Sequence, residues 1–167
     1  MFATPISLAP PLARPVRTPQ SGQRPIQGFA RGTLLRTITG PRPVERIMAG
    51  DLLLDADGQI IELRSMRHHF ARAADLVEIT AAALGLGLAP AQDGSAMVVG
   101  MGQKLGMRDW RTELIYGKPA MTEAQVLMDS VTVQRPARGA RLYQLGFDRD
   151  CVVVANGLPA LVRASDR

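Results

Sequence analysis

Gly28-Phe29-Ala30-Arg31-Gly32-Thr33-Leu34-Leu35-Arg36-Thr37 is the stretch on which the fold turns. A Gly-Thr pair followed by alternating apolar and polar residues reads as a half-buried strand leaving a turn. Residues 34–37 are therefore expected to be the first strand, and Gly28 the first residue of the folded domain. What precedes the stretch is of another kind. Residues 1–27 hold Pro5, Pro10, Pro11, Pro15, Pro19 and Pro25, with Ser, Gln and Arg between them. Proline fixes φ and removes a backbone donor, so this segment builds neither a helix nor a central strand. It is expected to be a disordered Pro/Arg-rich arm, and residues 28–167 a single domain.

Downstream, short apolar runs alternate with turn residues. Residues 39–43, Thr-Gly-Pro-Arg-Pro, read as a turn, and 44–47 as a second short element before Gly50-Asp51. Leu52-Leu53-Leu54 and residues 59–64 flank Asp55-Ala56-Asp57-Gly58, a hairpin signal. Residues 76–80 have strand character, and 67–72 continue a strand or make an excursion. The segment 81–96 reads as loop-bearing with one helical turn. Met97-Val98-Val99 leads as a strand into Gly100-Met101-Gly102-Gln103. Alternation over 110–116 suggests a strand with Trp110, Thr112, Leu114 and Tyr116 on one face. The best helix candidate is 121–131, with Ala124, Val126, Leu127 and Val131 at helical spacing and Thr122 as N-cap. At the end, 142–147, 151–154 and 158–162 read as strands, joined by turns at 148–150 and at Asn156-Gly157. Many short strands and few helices predict a mainly β fold.

The formal net charge of +5 raises the question of an acidic partner. Much of the excess lies in the first 44 residues, which carry Arg14, Arg17, Arg24, Arg31, Arg36 and Arg42 and no Asp or Glu. Aromatic residues make up only 4%, too few for a base-stacking platform, which argues against nucleic acid. The longest uncharged stretch, 79–92, is too short for a bilayer and contains Gly and Pro, so no membrane span is expected. Prolines interrupt the apolar residues near Met1, so no secretory signal is expected and the localisation is read as cytoplasmic. Cys151, the single cysteine, excludes an intrachain disulfide and reads as a small buried core residue. His68 and His69 are adjacent, so on a strand they face opposite sides and read as partly exposed structural residues. Asp55 and Asp57 are too few for a calcium site. No cofactor and no metal are expected.

Several segments in order resemble a known family. They are 28–37, then Gly-Pro-Arg-Pro-Val-Glu at 40–45 and Ala-Gly-Asp-Leu-Leu-Leu at 49–54. Met-Arg-Asp-Trp-Arg-Thr-Glu-Leu-Ile-Tyr-Gly follows at 107–117, then Phe-Asp-Arg-Asp at 147–150 and Val-Ala-Asn-Gly-Leu-Pro-Ala at 154–160. The series resembles the Hint (Hedgehog/intein) domain, in its bacterial branch, over nearly everything from Gly28 onward. The resemblance implies a Hint fold of short twisted strands and a self-directed chemistry. In that chemistry a Cys or Ser at the first residue attacks the carbonyl before it, converting an amide to a thioester or ester. A histidine protonates the leaving nitrogen, and further groups stabilise the oxyanion.

The resemblance also places this chain's departures. The nucleophile position corresponds to Gly28 and the histidine of the central block to Gln103. Two late histidine positions correspond to Gln144 and Asp150. Framework positions persist at Gly32, Thr33, Gly50, Asp51, Trp110, Glu113, Gly117, Phe147, Asp148, Asn156, Gly157 and Pro159. The leading expectation is thus a catalytically inactive Hint-like domain with a structural role or an unknown protein partner. Two alternatives stay open. One is autocatalytic cleavage of the splicing type at Gln27-Gly28. The other is nucleic-acid association through the basic arm.

Overall fold

The computed structural model describes residues 25–80, 83, 96–107 and 120–165. The arm before Pro25, the strand expected at 110–116 and nearly all of the segment 81–96 lie outside the described residues. Within them the chain forms two antiparallel sheets. The first is made by β1 (Phe29–Ala30), β6 (Ser65–Ala71), β7 (Leu76–Ile79), β8 (Met97–Gly100), β11 (Val133–Gln134) and β12 (Ala140–Gly146). Its strands lie in the order β11-β7-β8-β1-β12-β6. The second contains β2 (Leu34–Thr37), β3 (Gly40–Pro43), β4 (Leu52–Leu54), β5 (Ile60–Glu62), β9 (Lys104–Met107), β10 (Ala120–Glu123), β13 (Cys151–Ala155) and β14 (Leu158–Val162). Its order is β10-β9-β14-β13-β2-β4-β5, with β3 on β2. The expected mainly β, single-domain fold is found.

The hairpin of β13 and β14 follows directly from its residues. Asn156 at φ 46° and Gly157 at φ 83° supply the paired positive φ of a two-residue turn whose twist matches the strands. Cys151, Val153 and Ala155 on β13 and Leu158, Ala160 and Val162 on β14 alternate inward. They join Leu35, Leu53, Leu63, Val77, Val99 and Leu105 in one core. Thr33 and Thr37 are buried beside it, their hydroxyls donating to Ala30 O at 2.8 Å and Gly40 O at 2.6 Å, which offsets the cost of desolvating them.

Three local expectations are corrected. The first strand is β1 at Phe29–Ala30, and Leu34–Thr37 is the second. Residues 40–43 are a strand, not a turn: Arg42 pairs with Leu35, and Pro41 and Pro43 are tolerated because among the described residues β3 has a neighbour on one side only. The helix expected at 121–131 is absent. Ala120–Glu123 pairs with β9, Thr122 lying opposite Leu105, and Ala124–Leu127 is a 3₁₀ turn. Val126 and Val131 are 68% and 74% exposed, so the apolar spacing carries no buried stripe. Sheet pairing takes Met121, Thr122 and Glu123. Asp129 Oδ1 then gathers the N–H groups of Val131, Thr132 and Val133 into a loop. Residues 44–46 likewise form a 3₁₀ turn, burying Val44.

Candidate functional site

The turn between β8 and β9 is Gly100-Met101-Gly102-Gln103. Its glycines let another stretch of backbone lie against it. A Cβ on Gly102 would stand 2.6 Å from Pro25 O, and one on Gly100 would run into Ile26 O. The stretch that lies there is residues 25–28, which we term the strap. Gly102 N–H donates to Ile26 O at 2.9 Å and Gly100 N–H to Gly28 O at 3.0 Å. From behind, the 3₁₀ turn holds the same loop through Ala124 N–H to Gln103 O at 2.9 Å. The Gly-x-Gly spacing is the one sequence signal that could have marked this close approach, and it was missed.

At the end of the strap the Gln27–Gly28 peptide is held at both of its polar atoms. Gly28 N–H donates to Gln103 Oε1 at 3.2 Å, and Gln144 Nε2 donates to Gln27 O at 3.1 Å. Gln103 is 2% exposed. Its orientation is set by its surroundings, since Nε2 has two carbonyls to serve, Leu161 O at 2.9 Å and Lys104 O at 3.3 Å. Only the oxygen is left for the Gly28 N–H. Gly28 has φ 128°, and a Cβ there would stand 2.9 Å from Tyr143 O and 3.3 Å from Gln144 Cγ. That backbone conformation disfavours a side chain, because an L-residue is strained there whatever space it finds.

The peptide borders a cleft of about 420 Å³, lined by Gln27, Gly28, Gln103 and Gln144 together with Ser65, Arg67, Gly146, Arg163 and Ser165. Three of the four positions singled out in the sequence, Gly28, Gln103 and Gln144, thus converge on one bond. Asp150 does not line the cleft. It sits in the turn after β12, its Oδ1 accepting from Ala164 N–H at 2.7 Å, and so touches only the cleft's wall. Ser65, Arg67, Arg163 and Ser165 were missed. They reach the cleft through the pairing of β6 with β12 and the path of the chain after β14, which no local pattern encodes.

The other candidates lie elsewhere. Cys151 is 6% exposed, and its thiol donates to Arg149 O at 3.2 Å. Burial pushes the thiol above its ordinary value, which keeps it protonated and a poor nucleophile. His68 and His69 lie on β6 outside the cleft lining, the His68 ring 6.1 Å from that of Tyr143. Asp55 Oδ1 is occupied by the N–H groups of Asp57 and Gln59 at 2.9 and 2.7 Å, an Asx turn. Among the described residues no three His, Cys, Asp or Glu side chains cluster as metal ligands, and no helix is long and apolar enough to cross a membrane.

Two curled antiparallel sheets, with the leading segment of the domain clamped between the central turn and β12, define an intein-like domain. The crystal structure of the MchDnaB-1 intein superposes with a TM-score of 0.55 at 15% identity, covering 81% of this chain and 100% of that one. The solution structure of a bacterial intein-like domain from Clostridium thermocellum gives 0.51 at 14% identity, covering 83% and 99%. The family model described as the Hint domain matches residues 27–161, and the chain belongs to the Hint-domain family. No curated protein matches the sequence.

Proposed function

We propose that this protein is a catalytically silent Hint domain in which the Gln27–Gly28 peptide is a structural bond, and that its work is to bind a protein partner. The observation that carries the reading is the contact of Gly28 N–H with Gln103 Oε1. An N-to-S or N-to-O acyl shift needs a nucleophile beside the Gln27 carbonyl and a proton delivered to the Gly28 nitrogen. Gly28 has no side chain, and the group that meets its nitrogen is an acceptor. An acceptor there stabilises the planar amide, whose nitrogen lone pair is delocalised, and opposes protonation. The Cys151 thiol, buried and unpaired with another sulfur, suits a reducing compartment such as the cytoplasm.

Cleavage at Gln27–Gly28 is the alternative, and one contact favours it. Gln144 Nε2 on Gln27 O is placed to stabilise an oxyanion. Intact mass before and after incubation with hydroxylamine and with a thiol separates the two readings, because both reagents trap esters and thioesters. A single unchanged mass of 18.0 kDa is expected. A fragment pair meeting between residues 27 and 28 overturns the silent reading.

A further inference from the structure

The edges of the two sheets are not alike. β11 has two residues, β5 three and β10 four, too short to template a long added strand, and β3 carries Pro41 and Pro43. β6 is different: it runs for seven residues, pairs with β12 along its whole length on one side, and contains no proline. Among the described residues no strand pairs with its other side. We propose that β6 is a docking edge that takes up an extended acidic segment of a partner protein as an added strand. This rests on the partner-binding reading above and supplies that partner's chemistry.

Two observations select the occupant. The first is charge. Residues 64–72 carry Arg64, Arg67, His68, His69 and Arg72 and no carboxylate, and residues 138–146 carry Arg138 and Arg141 and none either. Arg64 is already paired with Glu62 and Asp148, both at 2.7 Å, whereas among the described residues Arg67 and Arg141 have no ion-pair partner. The second is the pattern of faces. Arg67 lies opposite Gln144 and lines the cleft, which Arg163 lines as well. Phe70 emerges on the opposite face and is 72% exposed. A strand with carboxylates at alternate positions and apolar residues between them places acids over Arg67 and an apolar side chain against Phe70. A second copy of this chain fits poorly, since pairing β6 with itself sets Arg67, His68 and His69 of both copies side by side. The chain's own first 24 residues carry Arg14, Arg17 and Arg24 and no acid, so their charge does not complement this edge.

The test titrates full-length protein into fluorescein-labelled peptides and reads anisotropy. The probe is a short peptide of alternating Glu and Val. One control replaces Glu by Lys, and a second is N-methylated at every residue, which keeps the charge and the side chains but removes all of the backbone donors. Binding of the Glu-Val peptide alone is expected, with new protection of the 65–71 amides in hydrogen exchange. Arg67→Glu should weaken it roughly ten-fold. Arg36→Glu, an exposed change on β2, should have no more than a small effect. Equal binding of the N-methylated peptide reduces the effect to charge attraction and overturns the added strand. So do equal losses in the two variants, or no binding at all. Intact mass of the same samples keeps the questions apart: fragments overturn the silent domain, whereas an unchanged mass without binding overturns the docking edge alone.

Discussion

The hairpin of residues 151–162 and the strap of residues 25–28 are both extended and both inserted into the same domain, yet opposite things hold them. The hairpin carries its own instructions: alternating apolar residues, an Asn-Gly turn, and five consecutive pairings between neighbours in sequence. The strap carries almost none. Its last peptide is fixed by Gln103, 75 residues away, and its carbonyl by Gln144, 117 residues from Gln27. A hairpin encoded locally is a foundation of the fold. A strap held by distant polar groups depends on the packing of the whole domain.

That contrast can be broken at its strongest point first. Leu158→Ala removes a fully buried side chain from the hairpin and should cost about 4 kcal/mol, read as a lower urea midpoint for the whole domain. An unfolding cost near zero would mean that the hairpin is not the foundation. On the strap side, Gly100→Ala drives a Cβ into Ile26 O and should cost about 3 kcal/mol. Here the loss should be partly local. Hydrogen exchange at Gly28 and Gly102 should speed up more than exchange in β13, and equal acceleration would show that strap and core open as one unit.

Gln103→Ala sharpens the comparison further. It leaves the Gly28 N–H and Leu161 O without their partner in a buried site, worth about 2 kcal/mol. Gln103→Glu keeps an oxygen for Gly28 but loses the donors to Leu161 O and Lys104 O. It should therefore be no better than alanine, whereas a wild-type midpoint for Gln103→Glu would show that only the acceptor matters. Asn156→Ala should cost about 1 kcal/mol. It removes the 2.7 Å contact of Asn156 Oδ1 with Leu34 N–H and places alanine at positive φ, and Asn156→Gly should recover only the second part.

The smallest effect is set by pH. Burial raises the Glu45 carboxyl, but the Gly32 N–H, its own N–H and Arg31 outweigh this and hold it below its ordinary value of 4.5. The hydroxyl of Thr132 and the N–H groups of Val133 and Val131 hold Asp129 well below its ordinary 3.8. Both folded values lie below the unfolded ones. Their contribution is therefore complete above about pH 5 and is lost as the pH falls through the folded values. Thermal melts should show Tm declining below pH 5, and the combined Glu45→Gln, Asp129→Asn variant should decline less steeply.

The fold was legible wherever neighbours in sequence are neighbours in space. Leu34–Thr37, the Asp55-Gly58 hairpin and the β13–β14 hairpin could be read from alternation and turn residues. The stretch 121–131 could not. Its apolar spacing matches a helix, but β9 captures residues 120–123, and pairing with a strand overrides a weak local preference. The site was legible by resemblance only as positions. Gly28, Gln103 and Gln144 were singled out, but nothing local said that one amide would face the Gly28 nitrogen with its oxygen and another the Gln27 carbonyl with its nitrogen.

By itself the sequence determined the class of fold, the turns and the inward-facing positions, because these depend on the φ preferences of Gly, Asn and Pro and on a two-residue period. It determined as well that no nucleophile stands at position 28. Only the tertiary structure decided that the Gln27–Gly28 peptide is held at both of its polar atoms, that a side chain at position 28 would be strained, and that among the described residues β6 is an edge strand beside a cleft lined by Arg67 and Arg163. These depend on which strands meet and on which atom of an amide faces its partner, and such matters are settled by the packing of the whole chain.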